Sequence, residues 1–327
     1  RTLGGAAPVA GGFIVRRRCH RDAPRLQSGK PQDARPMAIK LLAVLLVFAL
    51  AQGLPDLSRL RDFGRLRVWL SVLNQLGDGA RTLTALAVPV ILCALVQYAL
   101  GGWLFGLLSF VFAVCVLWYS WGPRDLSEDV DAVVKAPDGD RRVAAAQMLR
   151  VDGDEAPLPF EAPALVDAAF RSALKRWFGV LFWFLVLGPC GALLYRLTQL
   201  LGYSPTLAGL QGETGRGFAQ KLATLLDWVP AHLMALALAI ASDFDAVFQT
   251  WKTWHDRMGK GYFSLDLGFL SAIARASVDA DVIAGDGYAE DINDPLVELA
   301  DARHLLVRVL IVWLAATGLL VLGGFGV

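Results

Sequence analysis

TLTALAVPVILCALVQYALGGWLFGLLSFVFAVCVLWYSWGP, residues 82–123, runs for 42 positions without one Asp, Glu, Lys or Arg. A hydrocarbon core of about 30 Å is crossed by roughly 20 apolar helical residues, so the stretch has room for two crossings. Lipid offers the backbone no hydrogen-bonding partner, and helices answer this by pairing every N–H and C=O within the segment. The pair Gly101-Gly102 at the midpoint predicts a helical hairpin, out over Thr82 to Leu100 and back over Trp103 to Trp121. Trp118, Tyr119 and Trp121 stand just ahead of Gly122-Pro123-Arg124-Asp125, where amphipathic rings belong at the headgroups and charge resumes.

Working outward, the whole chain has the composition of an integral membrane protein: 327 residues, 55% hydrophobic, with a formal charge of +1. That balance gives no reason to expect a nucleic-acid partner, which needs a basic excess. The bilayer is the expected partner. Four cysteines make no disulfide framework; Cys93, Cys115 and Cys190 lie in apolar runs, where a thiol behaves as a small hydrophobe. Residues 1–36 hold no Met and carry Arg16-Arg17-Arg18 far from any apolar run, so they read as an over-extended or disordered segment preceding a start at Met37. Residues 37–327 are expected to form one helical membrane domain. Leu41 to Leu54 is a short apolar helix, and Leu57 to Leu76 an amphipathic one with Arg59, Arg61, Arg65 and Arg67 on its polar face.

Downstream, residues 122–176 form a polar insertion of short amphipathic helices, with Asp125 starting one and Pro137-Asp-Gly-Asp140 opening the next. A third helix is predicted from Ala164 into the membrane at Trp177, continuing as a span to about Leu197 with a kink at Gly188-Pro189. Asp227 is predicted to cap a span over 228–247 with Pro230 in its first turn. The acid-rich stretch 264–301 reads as a loop, without the spacing of a calcium site. Pro295 begins a last helix that ends in lipid. The expectation is an all-α polytopic fold with about five or six transmembrane helices. Of the basic residues, 18 fall in the loops 55–81, 122–176 and 248–304, against four on the other side, which would place those loops in the cytoplasm of a bacterial inner-membrane protein.

No Walker loop, nucleotide fingerprint, HExxH or GxSxG is present. No catalytic residue, cofactor or metal is therefore assigned. A constellation of polar residues at span ends remains: Arg124, Asp125, Tyr195, Arg196, Asp227 and His232. They are the candidate functional residues, with Arg196 and Asp227 expected to pair because an ionisable group in lipid costs about 2.5 to 3.5 kcal/mol. Snorkelling and helix capping explain the same residue types without a site.

Gly188-Pro-Cys-Gly-Ala-Leu-Leu-Tyr-Arg-Leu-Thr-Gln-Leu-Leu-Gly202 and Leu226-Asp-Trp-Val-Pro-Ala-His-Leu-Met-Ala-Leu236 resemble the G-x-x-G-A-L-x-Y-[KR] and N/D-[WY]-[IV]-P-x-R-L signatures of the AmpE and CobD/CbiB membrane superfamily. Gly122-Pro-Arg-Asp-Leu126 and Asp294-Pro295 are similar to further segments of it. Within the superfamily the chain looks closer to AmpE, which implies an inner-membrane regulator linked to cell-wall stress and β-lactamase induction, acting through membrane protein partners or a small cell-wall-derived ligand. The alternative is the cobalamin-pathway synthase branch, which joins an aminopropanol moiety to a corrinoid carboxylate. Phe170-Arg-Ser-Ala-Leu-Lys-Arg176 puts base where those synthases carry acid, and His232 stands where the superfamily usually has Arg.

Overall fold

The computed structural model describes residues 40–48, 64–100, 106–121, 125–150, 156–259, 261, 263–285 and 294–323. The expected over-extended segment 1–36 and the candidate Arg124 lie outside the described residues. Among the described residues the fold is all-α: α1 (40–48), α2 (Gly64–Val72), α3 (Asp78–Leu100), α4 (Leu107–Ser120), α5 (Leu126–Val134), α6 (Gly139–Ala146), α7 (Ala162–Ala173), α8 (Gly179–Leu187), α9 (Pro189–Tyr203), α10 (Pro205–Ala208), α11 (Glu213–Ala241), α12 (Phe244–Met258), α13 (Gly268–Ala284) and α14 (Pro295–Leu322).

Three of these, α3, α11 and α14, are long and apolar enough to cross a membrane, and α4 is a shorter apolar helix. The first apolar pair forms as the sequence predicts, with α3 and α4 on either side of the segment 101–105. Its outward residues stay uncovered by protein: Leu83, Ile91, Leu92, Leu95 and Val96 of α3 are all exposed, the surface expected of a helix facing lipid. The N-terminus of α3 is tied to the entry of α11, where the Asp78 carboxylate accepts from the backbone N–H of Gly212 and of Gly215, both at 2.8 Å.

The segment 177–197 does not form the single kinked crossing expected of it. It reverses. Helix α7 runs through a π-helical turn, Leu174–Phe178, into α8, which stops at Gly188, held at φ +74°. Pro189 then opens α9 at a position where its missing N–H costs nothing. An added Cβ on Gly191 would lie 2.2 Å from the Trp183 carbonyl oxygen, and one on Gly179 would lie 2.2 Å from the Tyr195 ring. The pairs 183/191 and 179/195 share one midpoint at the turn, so α8 and α9 are an antiparallel hairpin whose glycines let the two helices touch. The physical reason is the φ > 0 backbone at Gly188, which a proline kink inside one helix does not need.

The hairpin also removes the basis of the side assignment. That assignment placed 122–176 and 248–304 on one face by counting 177–197 and 228–247 as two crossings, whereas a hairpin followed by α11 supplies a different parity.

Two further expectations change. α11 has 29 residues and starts at Glu213, so Asp227 and Pro230 sit inside it and cap nothing. The stretch 264–301 holds the regular helix α13, in which buried Asp281 binds Ser242 Oγ at 3.1 Å and the Arg308 guanidinium. Its acids are partly structural.

At the polar end, Asp125 caps α5 by accepting from Ser127 N–H, and Asp138 caps α6, as the sequence predicts. Asp131 of α5 reaches Lys135 and, on α14, Arg303; the hydrogen bond from Lys135 and the nearby Arg303 charge hold its carboxyl below the usual carboxylate range. Asp129, fully buried, accepts from Arg176 at 2.5 Å.

Candidate functional site

Asp227 is a buried carboxylate of the helical core, 2% exposed in the middle of α11. A charge taken so far from water must be paired or hydrogen-bonded. Helix α9 supplies the partners. The Tyr195 hydroxyl donates to Asp227 Oδ1 at 2.5 Å, and Gln199 Nε2 donates to the same oxygen at 2.8 Å. Residues 195 and 199 are one turn apart on α9, so both side chains reach the same point of α11. Oδ2 carries no hydrogen bond among the described residues.

The Tyr195 ring is placed by an absence on α8. It lies over Gly179, where any side chain would occupy the same space. Trp183, one turn further along α8, fixes the height of α11 by a second device. Pro230 has no N–H to give to the carbonyl four residues back, which is Leu226, and the Trp183 indole donates to that oxygen at 3.0 Å. The residue before Asp227 is thereby pinned to the hairpin. These two contacts connect a proline and a glycine in the sequence to the position of one carboxylate.

Positive charge lies near the carboxylate. Lys175, in the π-helical turn, sits 3.9 Å above the Tyr203 ring and within electrostatic reach of Asp227. The next residue, Arg176, goes elsewhere, to Asp129 and the Met148 carbonyl. A π turn is a frequent feature of functional sites because it offsets neighbouring side chains in this way. Arg196 is buried beside Tyr195 on α9. The site is thus one carboxylate with an unoccupied oxygen, a phenol, an amide and nearby cations, an arrangement able to take a proton from a substrate and to hold negative charge.

Of the candidate residues, Tyr195 and Asp227 are in contact and Arg196 lies beside Tyr195; the expected ion pair between Arg196 and Asp227 is not formed, because the carboxylate bonds Tyr195 and Gln199 instead. Asp125 caps α5 elsewhere in the fold. His232, five residues past Asp227, belongs to an aromatic cluster: its Nδ1 donates to the Trp228 carbonyl at 2.7 Å, and its ring lies 4.7 Å from Phe269. Gln199, Gly179 and Trp183 were not singled out from the sequence. The signal for Gln199 was its spacing of four from a tyrosine that must bury its hydroxyl, and the signal for Trp183 was the carbonyl that Pro230 leaves without a donor.

The model of the CobD/CbiB family, described as CobD/Cbib protein, matches residues 43–295. The chain is 28% identical over 169 residues to the cobalamin biosynthesis protein CobD of Chromobacterium violaceum, covering 49% of this chain and 53% of that protein. It is 29% identical over 171 residues to the cobalamin biosynthesis protein CobD of Stutzerimonas stutzeri, covering 49% and 55%. The chain spans about half the length of the curated relatives it matches. No solved structure matches it.

These findings overturn the AmpE-type signalling expectation, although the superfamily was read correctly. At 170–176 base stands where the synthase branch carries acid. In the structure two of those bases have partners of their own, Lys175 over Tyr203 and Arg176 on Asp129, so their presence does not exclude the branch. The chain belongs to the CobD/CbiB family.

Proposed function

We propose that this protein acts in cobalamin biosynthesis as a multi-pass enzyme of the bacterial inner membrane, forming an amide on a corrinoid carboxylate at the Asp227 site. The observation that carries the reading is the family match over residues 43–295, which encloses the hairpin, α11 and the buried carboxylate between them. Amide formation requires an amine to lose a proton as its nitrogen attacks the carboxyl carbon, and oxygen leaves as water. Asp227 takes that proton at Oδ2 and gives it to the departing hydroxyl, which leaves as water, while Tyr195 and Gln199 hold Oδ1 and fix the carboxylate's orientation. Lys175 and Arg196 stabilise the negative charge that develops on the attacked carboxyl group. Arg124 and Asp125, which follow α4 in the sequence, are proposed to act in substrate entry and not in the chemistry.

The test is restoration of corrinoid prototrophy in a bacterial strain lacking its own synthase. Wild type should restore growth, and Asp227→Asn should lower turnover by about 10²- to 10⁴-fold, the usual contribution of a positioned acid or base. An expressed, membrane-inserted wild type that fails to restore growth would sink the reading. An Asp227→Asn variant with full turnover would move the chemistry away from this carboxylate.

A further inference from the structure

Where α11, α12 and α13 meet, seven aromatic rings gather outside the Asp227 site: Trp228 and His232 of α11, Trp251, Trp254 and His255 of α12, Phe263 of the following loop, and Phe269 of α13. The His232 ring stands 4.3 Å from Trp228 and 5.8 Å from Trp251, and Trp228 stacks at 6.1 Å on Phe263. Phe269, at the back, and His255 are buried; Trp228, His232 and Trp251 are half-buried and Phe263 is exposed, so the cluster is open on one side.

Three shielded polar atoms in this cluster have no hydrogen-bond partner among the described residues: His232 Nε2, Trp251 Nε1 and Ser264 Oγ. Their chemistry is complementary. A carbonyl can only accept, so His232 Nδ1 is the protonated nitrogen facing Trp228 O, which leaves Nε2 as an acceptor. Trp251 Nε1–H can only donate, and the Ser264 hydroxyl does either. Ser264 is tied to the same place by its own carbonyl, which accepts from Trp228 Nε1 at 3.1 Å. Buried polar groups are nearly always satisfied, and three unsatisfied ones in a single cluster point to a common occupant.

We propose that this cluster is a binding site for a neutral, planar amide group, either a free carboxamide or the amide edge of a heterocycle. An amide N–H donates to His232 Nε2, its carbonyl accepts from Trp251 Nε1–H, and its flat faces lie against the aromatic walls. A carboxylate has no hydrogen for Nε2, and an ammonium has no lone pair for Trp251. A lone water satisfies the polar atoms but gains nothing from the rings.

The experiment uses the full chain in lipid nanodiscs and measures binding of benzamide by saturation-transfer NMR, with benzoate and benzylamine as isosteres of similar size. Benzamide is expected to bind saturably and more tightly than either isostere. Trp251→Phe, which keeps a ring and removes the donor, should weaken binding about tenfold, and His232→Phe, which removes the acceptor, by a similar factor. Monodisperse elution of each variant checks that it folds, and either variant suffices if the other does not. Absence of saturable benzamide binding, equal binding of the isosteres, or unchanged affinity in a folded variant would each overturn the proposal, the first leaving a buried water as the occupant.

Discussion

Two apolar segments of this protein look alike in sequence and differ in what they do. Residues 82–121 and 177–203 are both rich in Leu, Val, Phe and Trp, and each has glycine near its middle. In the first, α3 presents aliphatic residues outward, and Leu92 and Leu95 are 56% and 58% exposed. In the second, α9 turns Tyr195, Arg196, Thr198 and Gln199 inward, where all four are buried. Apolarity marks both as membrane material. It is the polar residue on an otherwise apolar helix that separates a wall from an interior, because a buried polar side chain is retained only where it has a partner.

The glycines sharpen the contrast. Gly79 of α3 has nothing within 4 Å of an added Cβ, whereas Gly191 would meet the Trp183 carbonyl oxygen and Gly179 the Tyr195 ring, each at 2.2 Å. Gly191→Ala should have the largest effect on stability, about 3 kcal/mol or more, because the obstructing atom is backbone and cannot turn aside. Thermal unfolding in detergent measures it, and a loss no greater than that of Gly79→Ala would break the antiparallel hairpin. Gly179→Ala should cost less, about 1 to 3 kcal/mol, since the Tyr195 ring is able to shift. That shift pulls the hydroxyl from Asp227, so turnover should fall further than stability does. Gly79→Ala should be neutral or stabilising by up to about 1 kcal/mol, the gain of alanine over glycine in an exposed helix.

What the sequence made legible follows the same division. The helix starts at Asp125 and at Pro137-Asp-Gly-Asp140, the last helix from Pro295 and the first apolar pair were readable because each depends on local chemistry or on length. The hairpin was not, because Gly188-Pro189 fits either a kink or a reversal, and only the long-range pairing of Gly179 and Gly191 decides between them. Asp227 resembles a helix cap in sequence for a related reason. A proline three residues after an aspartate has the spacing of a helix start, and the competing fact, a helix that begins 14 residues earlier, lies in the weakly patterned stretch 213–226. Tyr195 and Asp227 were legible as polar residues at the ends of apolar runs, while their partner Gln199 depended on knowing that α9 and α11 face each other.

The smallest predicted effect tests how the two helices are held in register. Trp183→Phe keeps an aromatic ring on α8 and removes only the donor to the Leu226 carbonyl, so it should cost about 1 kcal/mol, the net worth of one hydrogen bond plus part of the penalty for leaving a buried carbonyl unmet. That carbonyl lacks its helical partner because residue 230 is proline. Pro230→Ala restores the missing N–H, and in that background the carbonyl has an intrahelical donor whether or not the indole is present. The two substitutions should therefore be coupled: Trp183→Phe in the Pro230→Ala protein should cost less than half of what it costs alone. Unfolding midpoints of the two single variants and the double variant give the coupling directly. An additive result would mean that Trp183 contributes through its ring alone, and the register of α11 against the hairpin would then rest on Tyr195, Gln199 and Asp227.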